Sequence, residues 1–173
     1  MVIWLIGMSG SGKTTLGNVV AKQLQQFAAN TVLLDGDDLR EVFGHNCGDE
    51  PYTVAGRRIN AERLIALCEL LDRQDIHVVC CVLSIFPEMR SNHHQRFSAY
   101  FEVFMDAPLE VLEARDVKGL YAAARRGAAS NVVGIDIPFP RPDRADMVID
   151  SSGNLPMLDE LATQILKNAG LLK

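Results

Sequence analysis

An apolar run, Val2-Ile3-Trp4-Leu5-Ile6, leads without a break into Gly7-Met8-Ser9-Gly10-Ser11-Gly12-Lys13-Thr14. Thr15 to Leu24 follows, with apolar residues at 16, 19, 20 and 24. The first stretch reads as a buried strand and the last as one face of a helix. A G-x-x-x-x-G-K-[ST] turn between a strand and a helix is the pattern of a phosphate-binding loop. Its glycines let consecutive N–H groups turn toward an anion, and the helix N-terminus adds a favourable dipole. Lys13 is placed to reach the β and γ phosphates of ATP, and the Thr14 hydroxyl to ligate Mg²⁺. Gly10, Ser11, Gly12, Lys13, Thr14 and Thr15 are therefore the candidate ATP-binding residues. A glycine-rich turn that binds nothing would not need both flanking elements.

The remaining chain alternates apolar runs with helical patterns. Strands are predicted over Thr31–Leu34, Ile76–Leu83, Phe101–Met105 and Met147–Ile149. Helices are predicted from Leu39 to Phe43 with Asp37 or Asp38 near the cap, and over Val54–Leu71 and Pro87–Ser98. Further helices are predicted from Pro108, at its first turn, to about Ala114, then over Arg115–Gly127 and Leu155–Leu171. Residues 44–51 and 128–144 read as loops. Such alternation implies an α/β, P-loop NTPase-type doubly wound sheet, mainly five parallel strands flanked by helices. Residues 1–173 are read as one domain, with a lid segment at about 115–140. Sheets of this kind bind ligands beyond the carboxyl ends of their strands, where Asp35, Asp37, Ser84 and Asp106 fall.

The net charge of −5 argues against a nucleic-acid partner, which usually meets a basic face. It does not argue against a small anionic substrate in a local basic pocket. No apolar run reaches the roughly 18 residues of a membrane span, and the N-terminal strand is not a signal peptide. Cys47, Cys68, Cys80 and Cys81 form no metal-spaced pair, and Cys80 and Cys81 sit inside an apolar strand. Buried thiols in a reducing, cytoplasmic setting fit best.

Asp35 and Asp37 form the second strong signal. A P-loop kinase needs one carboxylate for Mg²⁺ and one to orient the attacking hydroxyl. Arg40, one turn after Asp37, suits an anionic acceptor because its planar fork binds phosphate or sulfate oxygens. Other cations, Arg90 and Arg96 among them, read as solvated faces, and His93 and His94 as surface residues.

With these residues in place, the chain resembles the adenylylsulfate kinase family. The blocks that carry the likeness are residues 7–15, Leu34-Asp35-Gly36-Asp37-Asp38-Leu39-Arg40, and Arg115-Asp116-Val117-Lys118-Gly119-Leu120-Tyr121. Gly134-Ile135-Asp136 with Pro138 matches a lid motif of that family. The resemblance implies a kinase of sulfate assimilation that uses MgATP to phosphorylate the 3′-hydroxyl of adenosine 5′-phosphosulfate. It also implies a small-molecule nucleotide acceptor as partner, and often a homodimer. By resemblance, Lys13, Asp35, Asp37 and Ser84 are catalytic positions, and Thr14 and Asp35 hold the metal. Asp37, Arg40, Tyr52, Arg57, Asn60, Leu83, Ser84, Lys118, Val132 and Val133 take acceptor-side positions, and Arg115 lies near the ATP adenine.

The departures from the family pattern fall on the acceptor side. Gly56 replaces an aspartate, Ile85 a proline, and Val132 the second aromatic that would sandwich the acceptor base. Aromatic stacking on a base contributes on the order of 1–3 kcal/mol, so losing one face weakens adenine binding or admits another base. An alternative acceptor is therefore a cytidine diphosphate derivative such as cytidine diphosphoramidate. A third reading, a nucleotide-binding subunit without catalysis, has only these substitutions in its favour.

Overall fold

The computed structural model describes residues 1–45, 47–116, 118–153 and 157–172. Five strands, β1 (Val2–Ile6), β2 (Thr31–Asp35), β3 (His77–Val82), β4 (Tyr100–Asp106) and β5 (Met147–Asp150), form one sheet. Their order is β2-β3-β1-β4-β5, and every pairing is parallel. Parallel neighbours require crossovers, supplied here by α1 (Lys13–Gln25), α2 (Gly36–Val42), α3 (Val54–Asp72), α4 (Pro87–Arg90) and α5 (His93–Arg96). α6 (Leu109–Arg115) and α7 (Leu120–Arg125) precede β5, and α8 (Leu158–Asn168) closes the fold.

Strand side chains alternate between faces, so each strand feeds two cores. Ile3, Leu5, Val79, Cys81, Val103 and Met105 pack against Leu16, Val20 and Leu24 of α1 and Leu161, Ile165 and Leu166 of α8. Val2, Trp4, Ile6, Val78, Cys80 and Val82 pack against Leu64, Ile65 and Cys68 of α3, together with Phe97 and Tyr100. Covering both faces explains why β1 and β3 read as unbroken apolar runs rather than as alternating ones. Each fully buried aliphatic side chain contributes roughly 1.5–3 kcal/mol, so this double core holds the strand ends rigidly. β1 lies between β3 and β4, and the P-loop leaves its carboxyl end at that central position. A smaller cluster of Ala107, Leu112, Tyr121 and Val132, with Met8 against it, packs the 107–135 region against the loop.

Several boundaries differ from the sequence reading. The helix after β2 starts at Gly36, not Leu39, because Asp35 is its cap: the Asp35 carboxylate accepts from the Asp37 N–H at 2.9 Å. The predicted Pro87–Ser98 helix is two short turns, α4 and α5. Pro108 caps α6 in an extended conformation (ψ 146°) and lies outside the helix. The Arg115–Gly127 helix is broken after Arg115, where Asp116 turns and its carboxylate accepts from the Tyr121 and Ala122 N–H groups that begin α7. Val117 of the Arg115–Tyr121 motif, and Leu155 as the start of the last helix, lie outside the described residues.

His93 is the clearest correction. It is fully buried, with its ring 4.9 Å from that of Trp4, 5.3 Å from Phe97 and 5.1 Å from Tyr100. Desolvation, followed by the nearby Arg96 and Arg90 charges, lowers its pKa to about 4, so it is neutral at physiological pH. The aromatic residues that enclose it come from β1, β4 and the turn after α5, a convergence that no local pattern reveals. Arg90, also read as a solvated charge, is buried as well.

Candidate active site

The P-loop closes where β1 hands over to α1. Gly10 (φ 79°) and Gly12 (φ 91°) hold left-handed conformations that a Cβ would strain. Lys13 opens the helix and its side chain folds back, the ammonium donating to the Met8 carbonyl at 2.8 Å. Desolvation lowers its pKa to about 8, against the upward pull of Cys81, Asp35 and Asp37. The ammonium thus sits in a cradle of N–H groups and helix dipole that calls for an anion. Tyr121 of α7 fixes the loop from above, its hydroxyl donating to the Ser9 carbonyl at 2.9 Å.

Asp35 sits at the end of β2 and does two things. One oxygen caps α2, and the other accepts from the Thr14 hydroxyl at 2.6 Å. Two hard oxygen donors are thereby held together beside the P-loop, the donor set that Mg²⁺ favours. Asp37, in the first turn of α2, faces two cations: Arg40 Nη1 at 2.8 Å and Lys118 Nζ at 3.2 Å. Burial pushes its carboxyl up, but Lys118 and Arg40 outweigh that and hold it below the usual carboxylate range.

The cationic wall continues outward. The Arg40 guanidinium lies 5.2 Å from the Tyr52 ring centroid and that of Arg57 lies 5.8 Å from it, so both cations face one aromatic ring. Arg57 donates from Nε to the Tyr52 carbonyl at 2.8 Å and from Nη2 to the Asn131 carbonyl at 2.9 Å. That bridge ties the turn after residue 49 to the segment that carries Val132 and Val133. Burial, then the neighbouring Arg40, lowers the Arg57 pKa to about 10. Asn60 donates to the Gly36 carbonyl at 3.4 Å, while its Oδ1 and the Arg40 Nε are buried without a partner. Unpaired buried polar atoms are costly, so their place here suits a polar ligand.

All the site residues singled out from the sequence line one cleft of about 950 Å³, except Ser11, Arg115 and the strand-end Asp106, which instead pairs with Arg141. Ser11 is buried within the loop. Arg115 instead donates to the Ser152 and Gly153 carbonyls at 3.1 and 3.0 Å, beyond the end of β5. The cleft also takes in Trp4, Arg90 and His93, which sequence reasoning missed. Pro87 followed by an arginine one turn later was the only local signal for Arg90. Val132 and Val133 border the cleft but are nearly fully buried, and Tyr52 is an exposed aromatic of its lining.

Gly56 has a packing reason that its replacement of an aspartate did not suggest. A Cβ at this position would lie 2.2 Å from the Glu50 carbonyl oxygen and 2.8 Å from the Pro51 Cα. The Glu50–Tyr52 turn is seated directly on the start of α3, and Thr53 caps that helix through the Gly56 N–H at 3.1 Å. Gly56→Asp is expected to destabilise the fold by about 1–3 kcal/mol through overpacking, and to shift the Tyr52 turn. Urea unfolding with the acceptor KM measured in parallel checks both; unchanged stability would contradict this packing.

Residues 1–150 match the profile of the family described as adenylylsulphate kinase. The chain is 35% identical over 171 residues to the adenylyl-sulfate kinase of Synechococcus sp. (strain JA-2-3B'a(2-13)), covering 98% of this chain and 96% of that one. It is also 35% identical over 170 residues to the cytidine diphosphoramidate kinase of Campylobacter jejuni, again covering 98% and 96%. The solved APS kinase CysC of Mycobacterium tuberculosis, in complex with AMPPNP and APS, superposes with a TM-score of 0.83 at 32% identity, covering 98% and 96%. The chain spans 27% of the length of the bifunctional CysN/CysC enzyme of Xylella fastidiosa, to which it is 36% identical.

Proposed function

We propose that this chain, which belongs to the adenylylsulphate kinase family, transfers the γ-phosphoryl group of ATP to the 3′-hydroxyl of adenosine 5′-phosphosulfate. The observation that carries this reading is Asp37. Its carboxylate is held between Arg40 and Lys118 in the same cleft as the Lys13 ammonium and the Thr14–Asp35 oxygen pair. In this reading the polyphosphate of ATP lies in the P-loop, against the loop N–H groups and Lys13. Asp37 accepts a hydrogen bond from the attacking hydroxyl and orients it, and takes its proton as transfer proceeds. Arg40, Arg57 and Asn60 bind the anionic end of the acceptor, and Tyr52 stacks on its base. Ser84 and Leu83 form the adjoining wall. Thr14 and Asp35 would hold Mg²⁺, which when bound neutralises charge on the phosphate oxygens. Lys13 and Lys118 offset the charge that spreads over the transferring group. Residues 115–140, which supply Lys118, are read as the segment that closes over bound nucleotides.

The second reading, a cytidine diphosphate-linked acceptor such as cytidine diphosphoramidate, is favoured by one observation: valines at 132 and 133 where a second stacking aromatic would stand, leaving Tyr52 as the exposed aromatic among the described residues of the cleft. Purified protein with MgATP and either acceptor at equal concentration separates the two. Formation of the 3′-phosphorylated adenosine product supports the first reading. Transfer to the cytidine acceptor alone would replace it, and transfer to neither would remove both.

The lowered Lys13 pKa sets a further expectation. With a free-enzyme value of about 8, Lys13 is half neutral at pH 8, and a bound polyphosphate stabilises its charged form. Binding MgATP at pH 8 is therefore expected to take up roughly half a proton, falling to about a tenth at pH 7. Titration calorimetry in buffers of different ionisation enthalpy measures this. Buffer-independent heats at pH 8 would contradict the buried setting of the ammonium.

A further inference from the structure

Ser84 lies one residue beyond the end of β3 and has a backbone φ of 53°, one of three left-handed values among the described non-glycine residues. A residue with a Cβ disfavours that conformation by roughly tenfold, so surrounding structure must hold it. Arg90 supplies a holding contact. Its Nη1 donates to the Ser84 carbonyl at 3.1 Å, and the side chain is nearly fully buried. The buried Glu102 of β4 feels the Arg90 charge, and its carboxylate accepts from the Tyr100 hydroxyl at 2.6 Å. A buried carboxylate is pushed up by desolvation; Tyr100 and Arg90 oppose that rise at Glu102. Arg90 thus braces the Leu83–Ser84 segment from the buried side, and both Arg90 and Ser84 line the cleft.

We propose that Arg90 is a positioning residue for the acceptor: through its hydrogen bond to the Ser84 carbonyl it holds the Leu83–Ser84 turn in the left-handed conformation that shapes the acceptor wall. The inference deepens the function proposed above and rests on it. Nothing in this role touches the P-loop, so the ATP side is unaffected. Loss of the contact lets the turn relax toward negative φ, which withdraws the wall and lowers acceptor affinity. A glycine at position 84 carries little penalty for a positive φ, so the turn then depends less on Arg90.

The test is Arg90→Gln, with Arg90→Lys alongside because lysine keeps the positive charge but loses the planar guanidinium. In otherwise unaltered protein either change is expected to raise the acceptor KM, for Gln by about tenfold, the strain being released. The ATP KM and kcat at saturating acceptor should change by less than about twofold, as loss of binding without loss of transition-state contact requires. In a Ser84→Gly background the same Arg90 changes should raise the acceptor KM by no more than about threefold, because the strain is already absent. An equal rise in both backgrounds, a fall in kcat alone, or an unchanged acceptor KM overturns the proposal. Amide exchange over residues 83–86 gives a readout that needs no acceptor. It should quicken in Arg90→Gln, and unchanged exchange there also overturns the proposal. If unaltered protein turns over no adenosine 5′-phosphosulfate, the proposed function fails, while the exchange result still decides the role of Arg90.

Discussion

Lys13→Ala is expected to lower kcat/KM by at least about a thousandfold while leaving the protein folded. Lys13 is the first residue of α1, and its ammonium reaches back over the P-loop to the Met8 carbonyl rather than into either core. Removing it therefore leaves the two hydrophobic clusters intact. What is lost is a cation placed where negative charge accumulates on the transferring group, in a setting that already desolvates it. In such surroundings a charge acts far more strongly than in water. Steady-state kinetics together with a thermal melt check the claim. Turnover within about tenfold of the unaltered enzyme would contradict the assignment of the P-loop, by the magnitudes above.

Asp37→Asn should produce the second large loss, about 10²–10⁴-fold in kcat, because a carboxylate that orients a hydroxyl and accepts its proton has no substitute in an amide. The side chain keeps its shape, so α2 and its Asp35 cap should persist. The ionised state of Asp37 depends on its two cations. Burial alone would raise its pKa, but Lys118 and Arg40 pull it below the ordinary carboxylate value. Its charge is therefore present at neutral pH and lost only as pH falls below the usual carboxylate range. Activity in Asp37→Asn close to that of unaltered enzyme would show that the hydroxyl is oriented by another group. Full cellular function of that variant would favour a binding role without catalysis.

The sheet was legible because its central strands are buried on both faces. Val2–Ile6 and Val78–Val82 had to be apolar throughout, and the turn that follows the first is specified by glycines that few other contexts need. The P-loop residues, Asp35, Asp37 and Arg40 could be proposed from the sequence because local spacing encodes their pattern. What escaped was set by distant contacts. Asp35 caps α2 with one oxygen and meets Thr14 with the other, and that cap sets the helix start at Gly36. His93 is enclosed by Trp4, Phe97 and Tyr100, which only the parallel crossover brings together. Arg90 looked like a solvated charge because nothing in its local sequence shows that it is buried with its guanidinium on the Ser84 carbonyl. Gly56 marked a departure from a family pattern, yet only the seating of Glu50 and Pro51 on α3 supplies a reason for it. Asn60 and Arg57 reached the site by family likeness, and the geometry adds why they belong together. Arg57 clasps the Tyr52 and Asn131 carbonyls, and Asn60 carries an unpaired oxygen into the same cleft.

The most direct test of the central claim is calorimetric titration of purified protein with ATP, with and without Mg²⁺. The account predicts saturable binding of one nucleotide per chain, strengthened by Mg²⁺ and weakened when Asp35 is changed to Ala. Absence of binding, or binding indifferent to both Mg²⁺ and Asp35, would contradict it.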